Sequence, residues 1–341
     1  MQPITTSLTK LLNIKTPILA APMAFASTAE LTVAVSGSGA FGFFGAGFDT
    51  SAQLKETIQT VRTKLNLPKG VPVPMGFGFI GWILEMTESS DDPRLATILD
   101  ELPVAIWFAF GVDLGKYVAQ VRAHDAKRDH KTVVFVIVNS ATDAVRAANE
   151  WGVDVIVAQG NEAGGHGGSI SPPLFDLLPD VLAALPNGPP VVAAGGVATG
   201  AQVASLLALG VSGVVLGTRF LFTNECRYTD QIKSVLVDAD LRATQRSLCF
   251  DEVNRTNYWP PLHDGRAIAN QIWDDFTSGL SLEERLKKHD ESNAKGEKDR
   301  LVIWAGVGAG LTKTISPAAD VVKELHEGTL KAIKATSALL G

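Results

Sequence analysis

Apolar residues along this chain fall into short consecutive runs that alternate with amphipathic segments. Most runs are apolar at successive positions, as expected for parallel strands covered on both faces. Between them lie segments with helical period, such as SAQLKETIQTVRTKL and TGAQVASLLALG. The runs are PILAAPM (from Pro17), AFGFFGA (Ala40), VPVPMGFGF (Val71), VAIWFAFG (Val104), TVVFVIV (Thr132), VDVIVAQG (Val153), PPVVAAGG (Pro189) and VSGVVLGT (Val211).

Signals for helix ends support this division. Ser51 and Asp92-Pro93 stand where helices are predicted to begin, and Gly152 and Gly210 stand where helices are predicted to end. Eight strands alternating with helices predict an α/β fold, a (β/α)8 TIM barrel. A Rossmann fold is the weaker alternative, because APMAFAST follows the first strand in place of Gly-x-Gly-x-x-Gly.

The regular alternation stops after the eighth strand. Residues 223–300 are polar and rich in charge, and the chain then resumes with a glycine turn and a long amphipathic segment. We therefore expect residues 1–222 and 301–341 to form the barrel. Residues 223–300 are predicted to be a lid inserted before the last barrel helix.

Composition narrows the class of protein. The 341 residues are 46% hydrophobic and 19% charged, as in a globular protein. A net charge of −6 argues against nucleic acid or an anionic membrane as partner. Without a signal peptide or an apolar stretch long enough to span a bilayer, we expect a cytoplasmic protein. A homodimer stays open, and Cys226 and Cys249 match no metal or redox spacing.

The ends of the strands are where a barrel enzyme carries its active site, and here they are rich in glycine. Two of these ends, AAGGVATG and LGTRF, close the seventh and eighth strands, whose loops often bind phosphate in such barrels. Backbone N–H groups of Gly195, Gly196, Gly217 and Thr218 are predicted to bind a phosphate, with the Thr218 hydroxyl as a further donor. Arg219 is not expected to contact it.

His166 stands in NEAGGHGG, directly after the sixth strand. A single imidazole at a strand end, with room left by glycines, suits a general acid or base near neutral pH. Glu162 either orients this histidine or caps the following turn. No pair of histidines has metal-ligand spacing, so no metal is expected. Of the other histidines, only His263 in the predicted lid is a candidate for facing the site.

The motifs PILAAPM, AQGNEAGGHGG, VVAAGGVATGAQVASLLALGVSGVVLGTRFL and WAGVGAG resemble those of the nitronate monooxygenase family, formerly called 2-nitropropane dioxygenases. The resemblance spans nearly the whole chain. Its Glu-Ala-Gly-Gly-His core also occurs in FMN-dependent enoyl-acyl-carrier-protein reductases and some NADH:quinone reductases. The resemblance implies FMN bound non-covalently in a TIM barrel.

Site residues follow from this resemblance by matching positions. His166 would be the catalytic residue over the flavin, and Met23 and His166 would meet the substrate. In the predicted lid, Tyr258 and Trp259 either form an apolar wall over the substrate or pack in the core of the lid. Many bacterial members have a flavin-contacting asparagine at the end of the third strand, where this chain has Gly78. The implied cofactor contacts are Ala21, Pro22, Met23, Gln159, Gly164, Gly165, Gly195, Gly196, Leu216, Gly217 and Thr218.

The function implied is FMN-dependent oxidation of alkyl nitronates by O2 to carbonyl compounds and nitrite, with neutral nitroalkanes as further candidates. One alternative is an FMN-dependent NAD(P)H reductase of enoyl thioesters or quinones. A second alternative is a non-catalytic binder of a phosphate-bearing ligand on a degenerate barrel.

Overall fold

The computed structural model describes residues 1–340, and its central sheet is a closed barrel of eight parallel strands. The barrel order is β1-β2-β3-β4-β5-β6-β8-β9, and β9 pairs with β1 to close it. This confirms the predicted (β/α)8 fold. The strands are β1 Ile18–Ala20, β2 Phe41–Gly45, β3 Val73–Ile80, β4 Pro103–Ala109, β5 Val133–Val138, β6 Val155–Gln159, β7 Gly165–Gly168, β8 Val191–Ala194, β9 Gly213–Leu216, β10 Thr244–Ser247 and β11 His263–Ile268.

Helices follow the barrel strands as the amphipathic segments predicted. The α-helices are α1 Ser7–Leu12, α2 Ala29–Gly37, α3 Ser51–Lys64, α4 Gly81–Thr87, α5 Arg94–Asp100, α6 Gly115–Asp125, α7 Ala141–Asn149, α8 Leu174–Ala184, α9 Gly200–Ala208, α10 Thr218–Leu221, α11 Asp230–Asp238, α12 Cys249–Asn254, α13 Gln271–Thr277, α14 Leu282–Ala294 and α15 Ala318–Ser337. Two 3-10 helices span Val307–Leu311 and Ala338–Leu340. Among residues 1–340, none of these helices has the length and apolar content needed to cross a membrane.

Local signals set several helix ends. Thr50 caps α3 with a reciprocal contact to Gln53, and Gly152 and Gly210 adopt positive φ after α7 and α9. Asp92 precedes α5 as predicted, but its carboxylate accepts the Ser51 N–H at 3.0 Å and so caps α3. The boundary was thus predictable, while the choice of helix that receives the carboxylate depends on tertiary packing.

Two apolar layers hold the barrel together. Alternate strand residues pack inward, where the Phe43 ring meets Trp107 and Phe135 edge-to-face with centroids 5.3 and 5.1 Å apart. A Cβ on Gly76 would lie 2.2 Å from the Phe43 ring, so this glycine leaves space for the phenyl group. The opposite strand face packs against the surrounding helices and forms the larger core cluster.

A second sheet covers the mouth of the barrel. It is antiparallel, with strand order β10-β11-β7, and β7 is the GHGG stretch that follows β6. His166 pairs with Gly265 in β11, so the predicted loop is a strand of this sheet. Ala267 also bridges to Trp304, beyond the inserted segment. Residues 223–300 therefore contribute strands to the mouth of the barrel as well as four helices, α11 to α14.

Candidate active site

A large cavity opens at the carboxyl ends of the barrel strands. The space between its lining atoms and across its open mouth is about 1470 Å³. Its lining is mostly glycine, alanine and aromatic side chains. The predicted site residues that line it are Ala21, Pro22, Met23, Gln159, Gly164, Gly165, His166, Gly195, Gly196, Gly217, Thr218 and Trp259.

Backbone turns after β8 and β9 form one side of the cavity. Gly195 and Gly196 have φ of 120° and 68°, a region that side chains other than glycine rarely adopt. Thr218 Oγ1 accepts the Gly306 N–H at 2.9 Å, which leaves the hydroxyl proton free to donate toward a ligand. Both turns line the cavity, and the Thr218 hydroxyl is a free donor in this part of the lining.

The glycines at this mouth have two different physical reasons. A Cβ on Gly78 would lie 2.2 Å from Pro22 Cβ, and one on Gly164 would lie 2.2 Å from the Gly306 nitrogen. Both positions are filled by neighbouring protein atoms. A Cβ on Gly217 would approach nothing closer than 3.6 Å, and one on Gly165 would meet nothing within 4 Å. Of these four glycines, only Gly165 and Gly217 leave free space in front of the backbone.

The chain after β1 forms the facing wall. Ala21 N donates to the Leu216 carbonyl at 3.0 Å, which carries the strand pairing one residue past β1. Met23 N donates to Ser27 Oγ at 3.0 Å, so the turn is fixed and the Met23 side chain is left at the cavity. Leu216 itself is buried in the core and does not line the cavity.

Side-chain amides of Gln159 and Asn139 hold the strand that carries His166. Gln159 Nε2 donates to the His166 carbonyl at 2.9 Å. Asn139 accepts the Gly168 N–H at 3.0 Å and donates to the Gln159 carbonyl at 2.8 Å. The glycine-rich stretch is therefore ordered by pairing on one side and by amide contacts on the other.

The His166 ring is enclosed by one carboxylate and two indoles. Its Nε2 lies 2.9 and 3.1 Å from the two oxygens of Asp251. The Trp259 ring stacks on the imidazole with centroids 3.4 Å apart and planes 9° from parallel. The Trp304 ring is tilted against it at 4.5 Å. These contacts fix both the plane and the rotation of the imidazole.

Asp251 is completely buried and carries two further hydrogen bonds. The Thr256 hydroxyl donates to Asp251 Oδ1 at 2.9 Å, and Trp259 Nε1 donates to the same oxygen at 2.8 Å. Asp251 lies in α12 of the inserted segment, 85 residues from His166. Sequence reasoning missed it, since α12 shows only an ordinary amphipathic pattern.

Electrostatics around His166 favour the neutral ring. Burial lowers the pKa of His166, while the hydrogen bond and charge of Asp251 act in the opposite direction. Arg246 also lowers this pKa and Asp264 raises it, and these two side chains are hydrogen-bonded to each other. A neutral imidazole next to a carboxylate is the arrangement of a general base.

Aromatic side chains form the outer wall of the cavity. Trp82 contacts Phe48, Tyr258 and Trp259 with ring centroids 5.5 to 5.7 Å apart. Phe110 meets Trp259 edge-to-face at 5.6 Å. Tyr258 is 67% exposed and lies outside the cavity lining, whereas Trp259 lines it. Of the two aromatic residues predicted to meet the substrate, only Trp259 is at the cavity surface.

Three further candidates lie elsewhere. The Glu162 carboxylate accepts the Leu174 N–H at 3.0 Å and caps α8, so it does not orient His166. Arg219 is buried and pairs with Glu324 at 2.9 Å. His263 does not line the cavity, and its ring packs against Phe110 behind the wall.

Comparison with known proteins places this geometry in a family. The profile described as nitronate monooxygenase matches residues 5–76 and 81–328. A nitronate monooxygenase from Neurospora crassa is 34% identical, with 93% of this chain and 90% of the relative covered. Nitronate monooxygenase npaC from Metarhizium robertsii is 30% identical, with 91% and 90% covered.

Solved structures agree on the fold. FabK from Thermotoga maritima superimposes with a TM-score of 0.77 at 26% identity, covering 99% of this chain and 98% of that one. A nitroalkane oxidase from Streptomyces ansochromogenes gives a TM-score of 0.77 at 26% identity, with 96% and 99% covered.

Proposed function

The chain belongs to the nitronate monooxygenase family, an oxidoreductase family, and on that premise we propose that it oxidises alkyl nitronates with O2 to carbonyl compounds and nitrite. Two nitronate anions and one O2 balance to two carbonyl molecules and two nitrite anions. The observation that carries the proposal is the position of His166, whose ring contacts the buried Asp251 at the wall of a large, mostly apolar cavity.

FMN is the proposed cofactor. Members of the family are flavoenzymes, and the cavity fits a flavin because free space lies in front of Gly165 and Gly217. Gly195, Gly196, Gly217 and Thr218 would hold the phosphate, and the wall from Ala21 to Met23 would contact the ring system. From the side of β6, the Gln159 side chain, the backbone of Gly164 and the open face of Gly165 would contact the flavin. When bound, FMN supplies electron transfer between nitronate and O2.

The substrate proposed is a nitronate with an uncharged alkyl chain. Within residues 1–340 the cavity lining contains no lysine, arginine, aspartate or glutamate, and His166 and Tyr228 are its ionisable side chains. Burial raises the pKa of Tyr228, so its phenol stays neutral at working pH. The lining offers no cation to pair with a second anionic group of the substrate, whereas Trp82, Phe110 and Trp259 offer apolar contact.

Residues 223–300 are proposed to cover the substrate side of the site. They supply Asp251 and Trp259, two of the three side chains that enclose the His166 ring, and their strand β11 pairs with β7. Exclusion of water by this segment would strengthen the electrostatic contacts inside the cavity.

An absorbance spectrum and two assays test the proposal. The purified protein should be yellow, or become so with FMN, and it should release nitrite from propyl nitronate in air without NADH. A colourless protein that FMN cannot reconstitute would contradict the flavin assignment and favour the non-catalytic binder.

The FabK likeness favours one competing function, an FMN-dependent NAD(P)H reductase of enoyl thioesters or quinones. Anaerobic mixing separates the two functions. Rapid bleaching of the flavin by NADH would favour the reductase, whereas bleaching by nitronate without NADH supports the oxidation proposed here.

A further inference from the structure

We propose that Asp251 is a positioning residue: it keeps the ring hydrogen of His166 on Nε2 and leaves Nδ1 as the base of the site. The inference rests on the proposed function and adds the residue that sets the protonation of its histidine. Neutral nitroalkanes, already candidates for the substrate, are the substrates whose oxidation needs this base.

Hydrogen bonding assigns the proton on the imidazole. Asp251 Oδ1 accepts from Thr256 and Trp259, and the carboxylate lies 2.9 and 3.1 Å from His166 Nε2. A carboxylate held by two other donors has only acceptor capacity left for the ring. His166 Nε2 must therefore carry the hydrogen, and the neutral ring has its lone pair on Nδ1.

The free nitrogen is reachable from the cavity. Nδ1 of His166 forms no hydrogen bond with any group of residues 1–340. It is also not among the fully buried polar atoms that lack a partner in that part of the chain, so Nδ1 keeps some accessible surface. His166 is also part of the cavity lining. Since Nε2 is turned to Asp251, the nitrogen available to a substrate is Nδ1.

The orientation of the His166 ring is fixed by its contacts. Trp259 covers one face at 3.4 Å, and Trp304 lies against the ring at 4.5 Å. A 180° rotation about the Cβ–Cγ bond would keep the ring plane but place Cε1 where Nε2 now lies, which would leave the fully buried Asp251 without its ring partner. A buried charge that loses a hydrogen-bond donor is costly, so the observed orientation is fixed.

The step is a proton transfer and requires no oxidant. The α-C–H bond breaks, its proton moves to Nδ1, and its electron pair forms the C=N bond of the nitronate. The imidazolium that results keeps its Nε2–H on Asp251, whose negative charge offsets the new positive charge. The charged side chains facing the ring are Asp251 of α12, Arg246 of β10 and Asp264 of β11.

The substitution Asp251→Asn tests the tautomer directly. The amide oxygen can stay on Thr256 and Trp259, which places the NH2 group at the Oδ2 position, 3.1 Å from Nε2. Nε2 then lies 2.9 Å from the amide oxygen and 3.1 Å from the NH2 group, so the ring is no longer held with its hydrogen on Nε2. The imidazolium also loses the negative charge beside it, and the base is weakened. A carboxylate-to-amide change behind a catalytic histidine lowers turnover by roughly 10^4-fold in a serine protease triad. We expect a fall of about 10^3- to 10^4-fold in kcat/KM for nitroethane.

The preformed nitronate has no proton to lose, so kcat/KM for ethyl nitronate should fall less than about tenfold in the same variant, with an unchanged flavin spectrum. Glu252→Gln is the matched control. It makes the same change one residue away on α12, where the carboxylate pairs with Arg285 at 2.6 Å, and both activities should be unchanged.

An equal loss with both substrates at intact FMN content, or no loss with nitroethane, would overturn the assignment. If Asp251→Asn does not bind FMN, Asp251→Glu decides. In that variant, a ratio of kcat/KM for nitroethane to kcat/KM for ethyl nitronate within about tenfold of the wild-type ratio supports the requirement for a carboxylate. A larger fall in this ratio overturns the requirement. A wild-type protein that oxidises ethyl nitronate but not nitroethane refutes this inference alone. One that oxidises neither refutes the proposed function.

Discussion

Two glycines at the cavity provide a matched test of which backbone positions face a ligand. In Gly164→Ala the new methyl group would lie 2.2 Å from the Gly306 nitrogen and 2.4 Å from the Ala305 carbonyl carbon. Ordinary contact begins near 3.4 Å, so the backbone must move by about 1 Å. Overpacking of this kind costs about 1–3 kcal/mol or more. The melting temperature should fall by roughly 1–4 °C.

Gly217→Ala should behave in the opposite way. Its φ of −96° suits alanine, and the nearest atoms to the new Cβ would be 3.6 and 3.7 Å away. Stability of the flavin-free protein should change by less than about 0.5 kcal/mol. The methyl group would instead occupy space proposed for the flavin, and the same overpacking cost would weaken FMN binding by about 10- to 100-fold.

Thermal unfolding of flavin-free protein, followed by circular dichroism, gives the stability of each variant. Flavin must be removed first because a bound ligand raises the melting temperature by itself. Titration with FMN gives the affinity. A melting temperature of Gly217→Ala as low as that of Gly164→Ala would contradict the assignment of Gly217 to the flavin site. FMN binding by Gly217→Ala as tight as that of the wild type would also contradict it.

Three further outcomes follow from the site. His166→Asn should keep FMN and lower turnover, and loss of the flavin spectrum would make the residue structural. Because burial lowers the pKa of His166, kcat/KM for nitroethane should decrease with falling pH at a midpoint below that of a free imidazole. A midpoint above that of a free imidazole would contradict this. Burial raises the pKa of Cys226 and Cys249, so neither thiol should react with Ellman's reagent before unfolding, and rapid reaction of the native protein would argue against their burial.

The barrel was predictable because each strand and helix carries its signal within its own segment of the sequence. Consecutive apolar positions and amphipathic periods are properties of single segments, and each maps onto the strand or helix expected. β7 was not predicted as a strand, because GHGG carries no β-favouring side chain. It is a strand only because residues about 100 positions later in β11 pair with it.

The site was predictable to the extent that it follows strand ends. His166 and the turns after β8 and β9 line the cavity as expected. Asp251 was missed since nothing in its own helix marks it, and its role depends on folding of the inserted segment against β7. Glu162 shows the same limit, because a carboxylate near a turn has several nearby N–H groups and only the fold selects Leu174.

Glycine content gave a mixed signal for a physical reason. A missing side chain leaves open space at Gly217, whereas at Gly76 and Gly78 it makes room for Phe43 and Pro22. Gly78 therefore has no space for the asparagine found in many bacterial relatives unless Pro22 moves. Sequence alone cannot separate these cases, since both require only that Cβ be absent.

Oxygen consumption and nitrite release, measured in one reaction, show whether the protein oxidises nitronates with O2. FMN-loaded protein is mixed with propyl nitronate in air without NADH, while an oxygen electrode and a nitrite assay follow the same reaction. We expect two nitrite anions per O2 consumed, with flavin-dependent turnover. Oxygen consumption or flavin reduction that needs NADH, without release of nitrite, would contradict it.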